Sequence, residues 1–159
     1  MEFNTEIFSQ FDKKWALLSA GPMAAHNTMT ISWGSMGTLW GKPIVTVYVK
    51  PIRFTHKFLN ENEYFTVSFL PEEYRQALMK MGGITGRHHT DKDAAAGLTA
   101  KDLGEAVTYE EAELTFLCRK VFWQDMITTH MPTEIVEEFY TPDEPHTLYI
   151  GEVVDIIKK

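Results

Sequence analysis

Only one of the 159 residues is a cysteine, Cys118, so no disulfide can form within the chain, and a reducing compartment is expected. Basic residues are the minority: 15 Lys and Arg stand against 22 Asp and Glu, for a net charge of −7. That balance repels a phosphate backbone at long range and no basic run offsets it, so nucleic acid is not an expected partner. No apolar run is long enough to cross a membrane. The stretch Met1–Glu6 is acidic and lacks the basic and apolar regions of a signal peptide, which leads to the expectation of a cytoplasmic protein. There is no linker, internal repeat or low-complexity tract, and residues 1–159 read as a single domain. A glycine-rich dinucleotide fingerprint is missing, as is regular alternation of strands and helices. Histidines at metal-ligand spacing are missing too. His88 and His89 are adjacent, which gives no special ligand geometry, and no metal is expected.

What the chain does have is strand signal. Apolar residues make up 44% and charged residues 23%, enough to build a full core. Four Trp, six Tyr and ten Phe suit a protein of many strands, or one that packs on a flat ring. Thr28, Thr30 and Ser32 alternate with Met29, Ile31 and Trp33, which predicts a strand over 28–33. Further strands are predicted over 43–49, 64–70, 114–119 and 147–157, with Gly151 marking a bulge or bend in the last. Helices are predicted from Glu72 to Met81, stopped by Gly82-Gly83, from about Thr55, and from Asp91 to Ala96. For that last helix Thr90 and Asp93 have the spacing of a capping box and Gly97 is the stop. Many strands with a few short peripheral helices predict a mainly β, α+β domain built around a barrel.

Four segments carry residues suited to chemistry. On the first strand the small hydroxyls of Thr28, Thr30 and Ser32 share a face, with Asn27 before them and Gly34 after; they suit the polar edge of a heterocycle, and equally an ordinary half-exposed strand. In Arg53–Leu59, Thr55 reads as an N-cap with Phe54 and Leu59 as a hydrophobic staple. Free amides, the helix dipole, Arg53 and Lys57 would then favour a phosphate, although a capped helix beside an exposed arginine has the same pattern. The loop Thr85-Gly86-Arg87 with Lys92 could close over an anion, or be a solvated loop. His146 heads the last strand, where a histidine contacts a ligand or caps a turn. Trp33 and Trp40 read as core residues or as walls of a ring site, and Cys118 as a small buried apolar group.

The order of these segments resembles the flavin reductase-like family, and its flavoredoxin-type members in particular. The likeness runs from Asn27-Thr28-Met29-Thr30-Ile31-Ser32-Trp33-Gly34 through Val47-Tyr48-Val49-Lys50-Pro51-Ile52-Arg53-Phe54-Thr55, Gly86-Arg87 and Asp91-Lys92, to His146 and Tyr149-Ile150-Gly151-Glu152. The resemblance implies a split β-barrel, a homodimer and bound FMN. It implies that Asn27, Thr28, Met29, Thr30, Ser32 and Trp33 line the flavin, that Arg53 and Thr55 hold its phosphate, and that Thr85, Gly86, Arg87 and Lys92 lie close to it. His146 and Trp40 would face the substrate. Thr85 stands where the family commonly has serine, and His88-His89-Thr90 fills the middle of that loop. The implied activity is NAD(P)H-dependent hydride transfer to the flavin, with no catalytic acid or base named. The alternative is an FMN-containing electron carrier, fed by a redox protein, without its own nicotinamide site.

Overall fold

The computed structural model describes residues 6–159; the acidic stretch Met1–Thr5 lies outside them. In chain order the elements are α1 (Glu6–Asp12), β1 (Ala16–Ala20), β2 (Asn27–Ile31), β3 (Gly34–Leu39), β4 (Lys42–Val49), α2 (Phe54–Glu61) and β5 (Tyr64–Phe69). They continue with α3 (Arg75–Gly83), α4 (Lys92–Ala96), β6 (Ala100–Asp102), β7 (Val107–Tyr109), β8 (Leu114–Asp125), α5 (Thr133–Phe139) and β9 (Thr147–Lys158).

Seven strands form one antiparallel sheet in the order β2-β1-β5-β8-β9-β4-β3. Its two edges, β2 and β3, are consecutive in the chain and separated only by Ser32 and Trp33. A flat seven-stranded sheet would hold its edges about 28 Å apart at the usual strand spacing, further than two residues reach. The sheet therefore curls until its edges meet without pairing, which is a split barrel. Side chains alternate across it. Leu18, Met29, Ile31, Val45, Val47, Phe65, Val67 and Tyr149 fill the interior. Leu17, Leu78, Met81, Leu98 and Tyr109 form a second cluster outside, beneath α3, α4 and the β6–β7 hairpin.

Several local expectations change. The first strand is shorter than the alternation suggests, and Ser32 and Trp33 lie past its end. Thr55 is not an N-cap: that position belongs to Arg53, in extended backbone with no side-chain cap bond, so Phe54 is inside the helix and no staple forms. Asp91, not Thr90, caps α4, its carboxylate accepting from the Ala94 amide at 3.1 Å; Gly97 ends the helix at φ 75° as expected. The helix expected from Glu72 begins as a 3-10 turn, Glu72–Tyr74, and becomes α-helical at Arg75. Gly82 and Gly83 form its last residues instead of following it. Extra residues fall at Val121 on β8 and Val154 on β9, on either side of Gly151. β3 and β4 meet through Trp40-Gly41, both at positive φ (54° and 72°), as a two-residue hairpin loop of the I′ kind requires.

Candidate functional site

The outer edge of β2 meets the start of α2 and the end of α3 at a cleft of about 260 Å³, walled by Asn27, Met29, Arg53, Phe54, Gly82–Gly86 and Lys92. A smaller hollow of about 180 Å³ continues from it past Thr28, Phe58, His26 and Asp93, with Asn27, Phe54, Gly86 and Lys92 common to both. The joint volume is in the range of ordinary cofactor sites.

Asn27 is the pivot. Its Nδ2 donates to Thr55 Oγ1 at 2.8 Å, both residues being buried. That bond fixes the amide and turns its Oδ1 toward Gly86, where a Cβ would come within 2.1 Å. The loop can lie this close only because residue 86 has no side chain. A Cβ on Gly82 would come 3.3 Å from Thr30 Cβ, a tight but milder contact.

Two cations face the cleft. Arg53 Nη2 donates to the Gly82 carbonyl at 3.2 Å, and Lys92 Nζ donates to the Thr28 carbonyl. Lys92 is only 8% exposed. Burial, and after it the charge of Arg53, depress its ammonium to about 8. Burial likewise lowers Arg53. Neither cation has an ion-pair partner among the described residues. The nearby carboxylates are committed elsewhere. Asp93 accepts from His26 Nε2 and from Tyr109 OH, each at 2.8 Å, and Asp91 caps α4. Burial pushes the Asp93 carboxyl up, but the bonds from His26 and Tyr109 outweigh it and hold it below its usual range. The bond to Asp93 raises His26 against its own desolvation. Two mutually repelling cations with no direct ion-pair partner, Lys92 feeling Asp93 only at longer range, suit an anion. The first amides of α2, an eight-residue helix, open beside them.

Of the residues singled out in the sequence, Asn27, Thr28, Met29, Arg53, Thr85, Gly86 and Lys92 line these two hollows. Thr55 lies behind the wall and positions Asn27. Arg87 stands near it, its guanidinium 5.6 Å from the Phe54 ring. The others lie elsewhere, and the Thr28 hydroxyl is itself already bonded. Thr28 Oγ1 is engaged by Ser19 and by Tyr109 OH at 2.7 Å each, and Thr30 donates to the Leu78 carbonyl. Ser32 is half-buried beyond the strand end. Trp33 packs edge-on against Phe139 and His146, each at 5.6 Å. His146 is buried, bonded to Tyr140 OH at 2.9 Å, and lowered by desolvation and by Lys50. Trp40 is at the exposed hairpin tip, and Lys57 pairs with Glu61 on the far side of α2. Sequence reasoning missed His26, Asp93 and Tyr109, which no spacing rule joins, and read Gly82-Gly83 only as a helix stop. No three His, Cys, Asp or Glu side chains gather closely enough to hold a metal among the described residues.

Residues 8–159 match the family described as flavin reductase like domain. No curated protein matches the chain significantly. Among solved structures, flavoredoxin from Methanosarcina acetivorans is similar with a TM-score of 0.71 at 18% identity, covering 100% of this chain and 75% of that one. An FMN-binding protein from Thermus thermophilus with bound 1-cyclohex-2-enone gives 0.69 at 18%, covering 99% and 77%. The styrene monooxygenase flavin reductase from Pseudomonas putida S12 gives 0.65 at 19%, covering 91% and 79%. At these identities the likeness establishes the fold.

Proposed function

The chain belongs to the flavin reductase-like family, and from that premise we propose that it is an oxidoreductase that binds FMN in the cleft beside β2 and reduces it with NADH or NADPH. The observation that carries this reading is the pair Arg53 and Lys92, two desolvated cations without a carboxylate partner in a cleft of cofactor size. They fit a phosphate dianion, and the similar proteins include FMN-binding ones.

In this reading Arg53, Lys92 and the first amides of α2 hold the phosphate. Asn27, fixed by Thr55, presents an amide carbonyl to the ribityl chain and ring, and Gly86 lets the 85–87 loop close on it. Met29 offers apolar surface at the cleft wall. FMN, when bound, would supply a two-electron acceptor for hydride from the nicotinamide. The chain's part is to bind, orient and exclude water, and no side chain is given an acid–base role. His146 and Trp33, with Phe139 and Tyr140, form the aromatic cluster assigned to the donor side. The protein works as a cytoplasmic homodimer in this reading. Phe122, Val154 and Ile156 are apolar side chains left exposed on β8 and β9, surface that a second copy would cover. Light scattering at the dimer mass supports this, and a monomer at all practical concentrations opposes it.

Anaerobic stopped-flow mixing of the FMN-loaded protein with NADH or NADPH tests the function. Bleaching of the flavin within seconds is expected. If neither nucleotide bleaches it while dithionite or a reduced ferredoxin does, the protein is an electron carrier with the same cofactor.

A further inference from the structure

A third hollow, of about 410 Å³, lies where α2 meets the end of β8 and the start of β9. It is walled by His56, Asn60, Trp123, Gln124, Asp125 and Thr147, none of which lines the flavin cleft. Its hydrogen bonds run in one direction. Tyr149 OH has a single proton and gives it to Asn60 Oδ1 at 2.7 Å. The Asn60 Nδ2 must then donate to His56 Nδ1, at 3.2 Å. His56 carries its proton on Nε2 and donates to Thr147 Oγ1 at 2.9 Å; Thr147 donates to Asp125 Oδ1 at 2.6 Å. Burial holds His56 below its ordinary range against the opposing pull of Asp125 and Glu144, which keeps the ring neutral, as this tautomer requires.

Four residues thus orient one carboxylate. Asp125 Oδ1 is taken by Thr147, and Asp125 Oδ2 has no hydrogen-bond partner among the described residues. Beside it Trp123 is 59% exposed, with Lys120 Nζ 5.2 Å from the ring centroid. Gln124 adds a side-chain amide to the wall. An oriented carboxylate oxygen is the acceptor that binds a ribose diol in dinucleotide sites, and an exposed indole is a stacking platform for a base. Phe54, at the cleft wall, and Asn60, at the hollow, are six residues apart on α2, about 9 Å along the helix. We infer that this hollow binds the adenosine half of the nicotinamide donor, purine on Trp123 and ribose diol on Asp125, and so selects NADH over NADPH. A 2′-phosphate would meet the Asp125 carboxylate and remove the diol proton it accepts. This inference rests on the hydride-donor reading above.

The test has two arms. Calorimetric titration of the FMN-loaded protein with adenosine and with adenosine 2′-monophosphate reads the site without any reaction. Adenosine is expected to bind and to quench tryptophan fluorescence, with the 2′-phosphate at least about tenfold weaker. Asp125→Asn should erase that discrimination and Trp123→Ala should abolish binding, in proteins whose circular dichroism and melting match the parent. Gln124→Ala, which touches no relay bond, serves as a second variant and should weaken adenosine binding. Anaerobic reduction is the second arm: NADH should act at lower concentration than NADPH, and Asp125→Asn should bring the two together. Failure of adenosine to bind, or an unchanged NADH-to-NADPH ratio in Asp125→Asn, overturns the inference. Adenosine binding with no reduction by either nucleotide would keep the site and reject the hydride reading.

Discussion

A Cβ placed on Gly86 would stand 2.1 Å from Asn27 Oδ1, and Asn27 cannot swing away because its Nδ2 is bonded to Thr55 at 2.8 Å. Phe54 Cδ1, at 3.0 Å, closes the other side. Gly86→Ala should therefore push the 85–87 loop off the cleft. We expect FMN affinity to fall at least about tenfold, with a stability loss of about 1–3 kcal/mol typical of overpacking. Flavin fluorescence titration beside a urea melt separates the two effects; unchanged FMN affinity would show that the loop does not shape the site.

The Lys92 ammonium, at about 8, gives a pH dependence with a definite sign. A bound phosphate favours the charged form, so it raises this value. Above about pH 8 binding must first recharge Lys92, and affinity for FMN should drop between pH 7 and 9. Titration near pH 8 in buffers of different ionisation enthalpy should show proton uptake. Riboflavin, without the phosphate, should show neither effect. An FMN affinity flat across that range would remove Lys92 from the phosphate site.

His26 and Asp93 act on stability. His26 is raised in the folded chain, so its contribution is complete below its ordinary 6.5 and is lost as pH rises through the folded value. Asp93 is lowered, so its share is present above its ordinary 3.8 and is lost as pH falls through the folded value. Thermal melts of the parent and His26→Gln should differ most near pH 5.5–6 and converge toward pH 9. A constant gap would mean that the Asp93 bond is not what holds the histidine.

Gly151 is a packing constraint inside the barrel. A Cβ there would lie 2.5 Å from Phe65 Cζ and 2.6 Å from Cys118 Cβ, both fully buried. Gly151→Ala should cost about 1–3 kcal/mol or more in urea denaturation, because neither neighbour can retreat in a filled core. Cys118, pushed up to about 12 by burial, should stay unreactive to thiol reagents in the folded state.

How far the sequence could be read followed the periodicity of each segment. β2, β4, β5 and the first half of β8 alternate or are rich in β-branched residues, and were legible. β1 was not, because Ala16–Ala20 is buried on both faces, between the barrel core and the cluster under α3, and so shows no alternation. β3, Gly34–Leu39, has two glycines and no buried position, and lacks the usual strand composition. In the site, Arg53, Gly86 and Lys92 were legible as charge and flexibility on loops. The His26–Asp93–Tyr109 bonds join positions up to 81 residues from Thr28, and no local pattern encodes such contacts. The strand hydroxyls show the converse: their chemistry suited a ring edge, while Thr28 and Thr30 bond to the layer packed over β2.

Calorimetric titration of the parent and Arg53→Ala with FMN and with riboflavin shows whether Arg53, beside Lys92, receives the phosphate of FMN. Arg53→Ala should weaken FMN binding by about 1.5–3 kcal/mol, the range of a charge-assisted hydrogen bond, and leave riboflavin nearly unchanged. Equal losses for the two ligands, or no loss for FMN, would contradict that role.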